Sequence, residues 1–189
     1  MNNKEYENII AFHPGFYIEE IIEELEMTQD EFAKRLDVSA KTISKLINAQ
    51  ISLSDELASK MSIMLGISAE TLINLQKTYD LKVLEIEKKK KLNAQKEVAK
   101  EIDYNYFVQN KILSAAKNIE EKIENLCAYL KVSDLSLLKN PDLLASFRTS
   151  VQTVTEKNVI NANVWLQTAI NFGLNKTVEP FDEKVFIVL

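Results

Sequence analysis

The chain has one cysteine, one histidine, three glycines and three prolines in 189 residues. A single cysteine, Cys127, cannot close an internal disulfide, so a reducing, cytoplasmic compartment is expected. With one His and one Cys far apart, the ligand sets of a catalytic or structural zinc centre are missing, and no metal or other cofactor is expected. His13, just ahead of Pro14, reads as a residue leading into a helix, and Cys127 as a packing residue on an apolar stripe. No apolar run approaches the roughly twenty residues that span a bilayer. The opening Met1-Asn-Asn-Lys-Glu-Tyr-Glu is polar and acidic, unlike a signal peptide. Glycine-rich phosphate loops, nucleophile elbows and paired His-Glu spacings are also missing, so nothing points to an enzyme. Scarce Gly and Pro, with few alternating β-branched runs, point instead to helices joined by short connections.

Those helices can be placed from their caps and stripes. Residues 1–14 read as a polar lead-in ending at His13-Pro14-Gly15. From Phe16, Ile18, Ile21, Ile22 and Leu25 follow helical spacing, with glutamates on the other face. Ser54 caps a helix striped by Leu57, Met61 and Met64, which ends at Gly66 in the left-handed position after a helix. Ser68 caps another through Leu72, Leu75 and Tyr79, extended by Val83 and Ile86. It runs through Lys88-Lys-Lys-Lys91 to about Lys100 without Gly or Pro, and the lysine run reads as a solvated face.

The segment from Thr28 to Asn48 says most about function. Thr28 and Ser39 stand where helix N-caps belong, and Glu31 completes a capping box with Thr28. Phe32, Leu36, Val38, Ile43 and Leu46 are apolar, and Ala33 is small where a second helix must pack closely on the first. Cap, small residue and core positions fall at the offsets of a helix-turn-helix, which presents its second helix to the DNA major groove. On that helix Lys41 and Lys45 lie opposite Ile43 and Leu46, placed to donate to guanine O6 or N7, with Ala40 beside a thymine methyl. Gln29, Ser39 and Thr42 suit phosphate contacts, as does Asn48 at the helix end.

The formal net charge of −5 runs against the usual basic footprint of a nucleic-acid binder. Its distribution is uneven. Lys34, Arg35, Lys41, Lys45 and Lys60 cluster around the Thr28–Asn48 unit, while acid concentrates at Glu19, Glu20, Glu23, Glu24 and Glu26. A locally basic face on an acidic body binds phosphates with strong salt dependence. Two copies acting together would raise the affinity, so a homodimer on double-stranded DNA is expected.

His13-Pro14-Gly15, Thr28-Gln29, Phe32-Ala33, Leu36, Val38-Ser39, Thr42-Ile43-Ser44, Leu65-Gly66 and Leu75-Gln76 with Tyr79 together resemble the lambda-repressor-like helix-turn-helix proteins of the Xre family. The His-Pro-Gly lead and the Asn74-Leu-Gln segment with Tyr79 look most like its HigA-type antitoxins. Asp37 and Ala49 depart from that pattern, each standing where glycine is common. The resemblance implies a dimeric repressor that binds its own operator and neutralises a small RNA-cleaving toxin. The expected fold is all-α: a five-helix DNA-binding domain with a long fifth helix over 12–80, a helical linker over 81–100, and a helical accessory domain over 101–189.

That last segment is richer in Asn and aromatics. Tyr104, Tyr106, Phe107 and Ile112 suggest one helix, and Asn118–Lys131 another through Ile119, Ile123, Leu126, Cys127 and Leu130. Asp134 caps a short helix, Asn140-Pro141 begins one through Leu143, Leu144 and Phe147, and Asn158–Phe172 forms a further one ended by Gly173. The apolar Val185-Phe-Ile-Val-Leu189 suggests a docked strand or a truncated domain. Residues 101–172 resemble the helical segment that precedes an ImmA/IrrE-type metallopeptidase in longer relatives, although no His-Glu-x-x-His motif follows in this sequence. Two alternatives therefore stand beside the repressor: a protein-interaction module that docks a basic toxin on Glu19, Glu23 and Glu26, and the regulatory part of a regulator–peptidase.

Overall fold

The computed structural model describes residues 3–143 and 155–174, and the chain divides into two compact units, 1–91 and 92–189. In the first unit an antiparallel hairpin, β1 (Asn3–Tyr6) and β2 (Ile9–Phe12), leads into α1 (Pro14–Glu24), α2 (Gln29–Arg35), α3 (Ala40–Ile47) and α4 (Asp55–Leu65). The long helix α5 (Ala69–Glu101) follows, its first part packing in this unit and its last turns in the second. The architecture is mostly helical, with the five-helix pattern expected from the sequence.

Each helix begins where a side chain can satisfy its free N–H groups. Thr28, Ser39 and Ser54 accept from the third residue of α2, α3 and α4, and Ser68 Oγ accepts from the Thr71 N–H in the first turn of α5. Gly66 closes α4 at φ 71°, the left-handed conformation anticipated for it. Ile18, Ile22, Phe32, Leu36, Ile43, Leu46, Leu57, Met61 and Leu72 form one buried cluster. Burying each of these large side chains contributes about 1.5–3 kcal/mol.

Two expectations for the first unit are corrected. Residues 3–12 form a hairpin rather than a plain lead-in. Tyr6 pairs with Ile9 across a two-residue loop in which Glu7 takes φ 54°. Ile9 and Ala11 turn inward onto Ile86 of α5, while Ile10 and Phe12 face outward, the period-2 alternation of a strand. Leu25 is exposed because α1 stops at Glu24 and the chain turns away through Glu26 at φ 52°. The lysine run at the end of this unit is partly engaged: Lys89 pairs with Glu7 at 3.6 Å and Lys90 lies 5.2 Å from the Tyr6 ring centroid.

The second unit contains the last turns of α5, α6 (Tyr104–Gln109), α7 (Ile119–Leu130), a 3-10 turn (Leu135–Lys139) and α8 (Glu156–Leu174). Its core gathers Val98, Ile102, Phe107, Ile123, Leu126, Leu130, Leu135, Leu138, Ile160 and Val164. Asn118 and Asp134 cap as expected, and Cys127 is a half-buried packing residue whose thiol lies 3.8 Å from Gln95 Oε1. Gly173 does not end its helix: α8 continues through it to Leu174, with no neighbour within 4 Å of an added Cβ. The helix expected through Leu144 and Phe147 and the apolar tail 185–189 lie outside the described residues.

Candidate nucleic-acid interface

Helices α2 and α3 are joined by a four-residue turn whose geometry follows from local chemistry. At the start of α2 the Thr28 hydroxyl accepts from the Glu31 N–H at 3.2 Å, and Glu31 Oε2 accepts from both the Thr28 N–H and its hydroxyl at 2.9 Å. These hydrogen bonds hold the Glu31 carboxyl below its ordinary pKa, with Arg35 and Lys34 adding to the effect. At the turn Asp37 takes φ 53°, the left-handed conformation where glycine is common. Lys60 of α4 donates to the Asp37 carbonyl at 3.1 Å and fastens the turn from outside. A second left-handed residue, Ala49 at φ 54°, redirects the chain after α3. Both departures from glycine therefore sit on strained backbone.

Helix α3 has two unlike faces. Ile43, Leu46 and Ile47 are buried against the core, and Ala40 packs partly against it. Lys41 is exposed, Lys45 is half-buried, and neither forms an ion pair among the described residues. Gln29 and Asn48 are exposed as well. Ser39 and Thr42 are already coupled, Ser39 Oγ accepting from the Thr42 N–H at 3.1 Å and lying 2.8 Å from Thr42 Oγ1. Asn48 donates to the Ser44 carbonyl at 2.8 Å. The structure thus brings Ser39, Ala40, Lys41, Thr42, Lys45 and Asn48 together on or beside one helix, with Gln29 opening the neighbouring one.

The surrounding basic residues are less free than their number suggests. Lys34 pairs with Asp30 at 2.6 Å, which raises its pKa, and Lys60 lies 3.5 Å from Glu56 as well as on the Asp37 carbonyl. Arg35, Lys41 and Lys45 are left as the cations without an ion pair among the described residues of this region.

Behind α3 lies the His-Pro-Gly lead. His13 is the N-cap of α1, its Nδ1 accepting from the Gly15 N–H at 3.0 Å. Its ring meets Tyr79 edge-on at 4.9 Å. Burial lowers the His13 pKa, opposed by Asp80 and by a hydrogen bond to the Ile51 backbone. Gly15 allows α1 to touch the end of α3: a Cβ there would sit 2.1 Å from the Leu46 carbonyl oxygen and 2.9 Å from Ile47 Cα.

A helix-turn-helix family profile matches residues 18–81. The chain is also 34% identical over 68 residues to YddM, an uncharacterised HTH-type transcriptional regulator of Escherichia coli K12, covering 36% of this chain and 72% of that protein. It belongs to the helix-turn-helix family of transcriptional regulators. Solved structures similar to this regulator include a candidate antidote protein of a plasmid maintenance system from Nostoc punctiforme PCC 73102, at 33% identity and TM-score 0.40 over 42% of this chain and 89% of that one. Another is an addiction module antidote protein of a HigA family from Coxiella burnetii, at 26% identity and TM-score 0.41 over 44% and 91%.

Sequence reasoning missed two residues that shape this helix-turn-helix. Lys60 was counted as one more cation, and nothing local marks it as the donor to the Asp37 carbonyl. Gln76 was read only as part of a family pattern, yet its Oε1 accepts from the Leu53 N–H at 2.8 Å, and the residue is buried. A signal existed for Gln76: it lies on the same helical stripe as Leu72, Tyr79, Val83 and Ile86, where a polar side chain must find a partner.

Proposed function

We propose that this DNA-binding regulator is an antitoxin-type repressor that acts on its own operator as a homodimer. The observation that carries the reading is α3 itself, whose buried side is wholly apolar while Lys41 and Lys45 stand outward without ion pairs among the described residues. A helix held in that way can lie in the major groove with Lys41 and Lys45 on guanine O6 or N7 and Ala40 on a thymine methyl. Gln29, Ser39, Thr42 and Asn48 surround that edge and suit phosphate contacts, which set register. The net charge of −5 supports a dimer, because one small basic face on an acidic protein gathers too little phosphate contact alone. The antitoxin part rests on the resemblance carried by His13-Pro14-Gly15 and by Asn74-Leu-Gln with Tyr79.

Footprinting on the DNA upstream of its own gene at moderate salt tests the reading. Two protected half-sites about one helical turn apart are expected. Lys41→Ala should relax preference at one base pair, at a cost of about 1–3 kcal/mol, while Gln29→Ala should weaken all sequences alike. No protection anywhere on that DNA would refute the operator reading. Failure of the neighbouring gene product to co-purify would refute the toxin partner separately.

A further inference from the structure

Two stretches far apart in the sequence meet behind the C-terminal end of α3. From one side, His13 caps α1 and Gly15 rests on the Leu46 carbonyl. From the other, Gln76 of α5 accepts from the Leu53 N–H and donates from Nε2 to Asp80 Oδ1 at 2.9 Å. The His13 ring meets Tyr79 of α5 edge-on, three residues from Gln76. The end of α3 is thus met by Gly15 at Leu46, and the loop that leaves it is held at Leu53 by Gln76. Both polar side chains are buried, His13 at 2% exposure and Gln76 at 7%, so neither can reach DNA.

We infer that His13 and Gln76 are positioning residues for DNA reading, a clamp of two buried polar groups that sets α3 from the α1 start resting on its end and from the loop that follows it, with exposed Asp80 as the partner of Gln76. The His13 side works only with the ring neutral. The inference rests on α3 being the reading helix. With Nδ1 accepting from the Gly15 N–H, the ring hydrogen belongs on Nε2. Protonation removes the acceptor from Nδ1, strands the Gly15 N–H, and puts a cation at the positive end of α1. Of the titratable groups, Asp80 and Tyr79 of α5 face the ring, and the loop after α3 presents the Ile51 backbone. Asp80 favours the cation, but burial outweighs it and the pKa falls below its ordinary 6.5. The unfolded chain then binds the proton more readily than the folded one. The clamp is intact above about pH 6.5 and is lost as pH falls through the folded value.

The test uses the full chain and two readouts. In the first, amide hydrogen exchange is followed without DNA in the parent, Gln76→Leu and His13→Ala. Exchange at Leu53 should quicken at least about tenfold in Gln76→Leu, and the amides of the first turn of α1 should quicken in His13→Ala, while α7 keeps its parent rates. In the second, binding to a duplex of the DNA upstream of the gene is measured by anisotropy at fixed salt from pH 8 to 5.5. The parent is compared with His13→Asn, which keeps a capping oxygen but does not titrate. As pH falls below 6.5 and through the folded value of His13, the parent should lose at least about threefold relative to His13→Asn. Unchanged Leu53 exchange in Gln76→Leu, or a parent-to-variant affinity ratio independent of pH, would overturn the clamp. If no variant binds that duplex at any pH, the operator reading fails and the exchange result alone decides the clamp.

Discussion

Gly15→Ala places one methyl group where α1 closely approaches the backbone at the end of α3. The added Cβ would lie 2.1 Å from Leu46 O, 2.8 Å from Leu46 C and 2.9 Å from Ile47 Cα, where ordinary contact begins near 3.4 Å. All three neighbours are backbone, so no side chain can rotate away. The start of α1 must instead move from the end of α3 by roughly 1 Å, an overpacking change that costs about 1–3 kcal/mol. Alanine recovers about 0.5–1 kcal/mol of helix propensity at the same position. The net loss expected is about 1–2 kcal/mol. For a unit of this size each kcal/mol moves the melting temperature by about 4–8 °C. Thermal unfolding followed by circular dichroism should therefore show a drop of at least about 4 °C, with hydrogen exchange confining the loss to α1, α3 and their neighbours. A Gly15→Ala protein that melts at or above its parent would refute the close-approach argument outright.

Three further outcomes follow from the same structure. Ala49→Gly relieves a left-handed residue at φ 54° and should stabilise the chain by about 0.5–1 kcal/mol in urea unfolding, against the usual direction for glycine; a destabilised variant would remove strain from the account of this turn. Thr28→Ala should cost about 1 kcal/mol by removing the cap of α2. It should also make the acid dependence of stability shallower without abolishing it, because Glu31 keeps the Thr28 N–H, the larger cause of its lowered carboxyl, and loses only the hydroxyl bond: that part of the stabilisation is present above 4.5 and disappears as pH falls through the folded value. Equal acid slopes in parent and Thr28→Ala would refute that coupling. Phe107→Ala should cost about 3–5 kcal/mol in the second unit. It should also shift the emission of Trp165, the single tryptophan, which lies 6.3 Å from the Phe107 ring in a stacked arrangement; unchanged emission would argue against that packing.

The caps and stripes of α1 to α5 were legible in the sequence because they are local. Thr28, Ser39, Ser54 and Ser68 each act on an N–H three residues away, and a stripe such as Leu72, Leu75, Tyr79, Val83 and Ile86 repeats at the period of one helix. Asp37 and Ala49 were readable as substitutes for glycine, and the backbone is left-handed at both. The hairpin was not legible. Its strands are four residues each, its loop is Glu7-Asn8 rather than a glycine turn, and the alternation of Ile9 and Ala11 has meaning only against Ile86. Gly173 was read as a stop, yet it lies inside α8, since glycine inside a helix costs only about 1 kcal/mol and is tolerated.

By itself the sequence determined which segments are helical, where most of them start, and that α3 would carry lysines on one side and an apolar core on the other. Tertiary structure alone decided that Lys60 is taken up by the Asp37 carbonyl 23 positions away, whereas the Lys34–Asp30 pair is one turn of α2. It also decided that Gln76 of α5 accepts from the Leu53 N–H, 23 positions away, in the loop after α3. The physical reason is the range of the interactions: capping and periodic burial act within a turn or two of one helix, whereas a buried hydrogen bond between distant segments exists only once packing has brought donor and acceptor within about 3 Å.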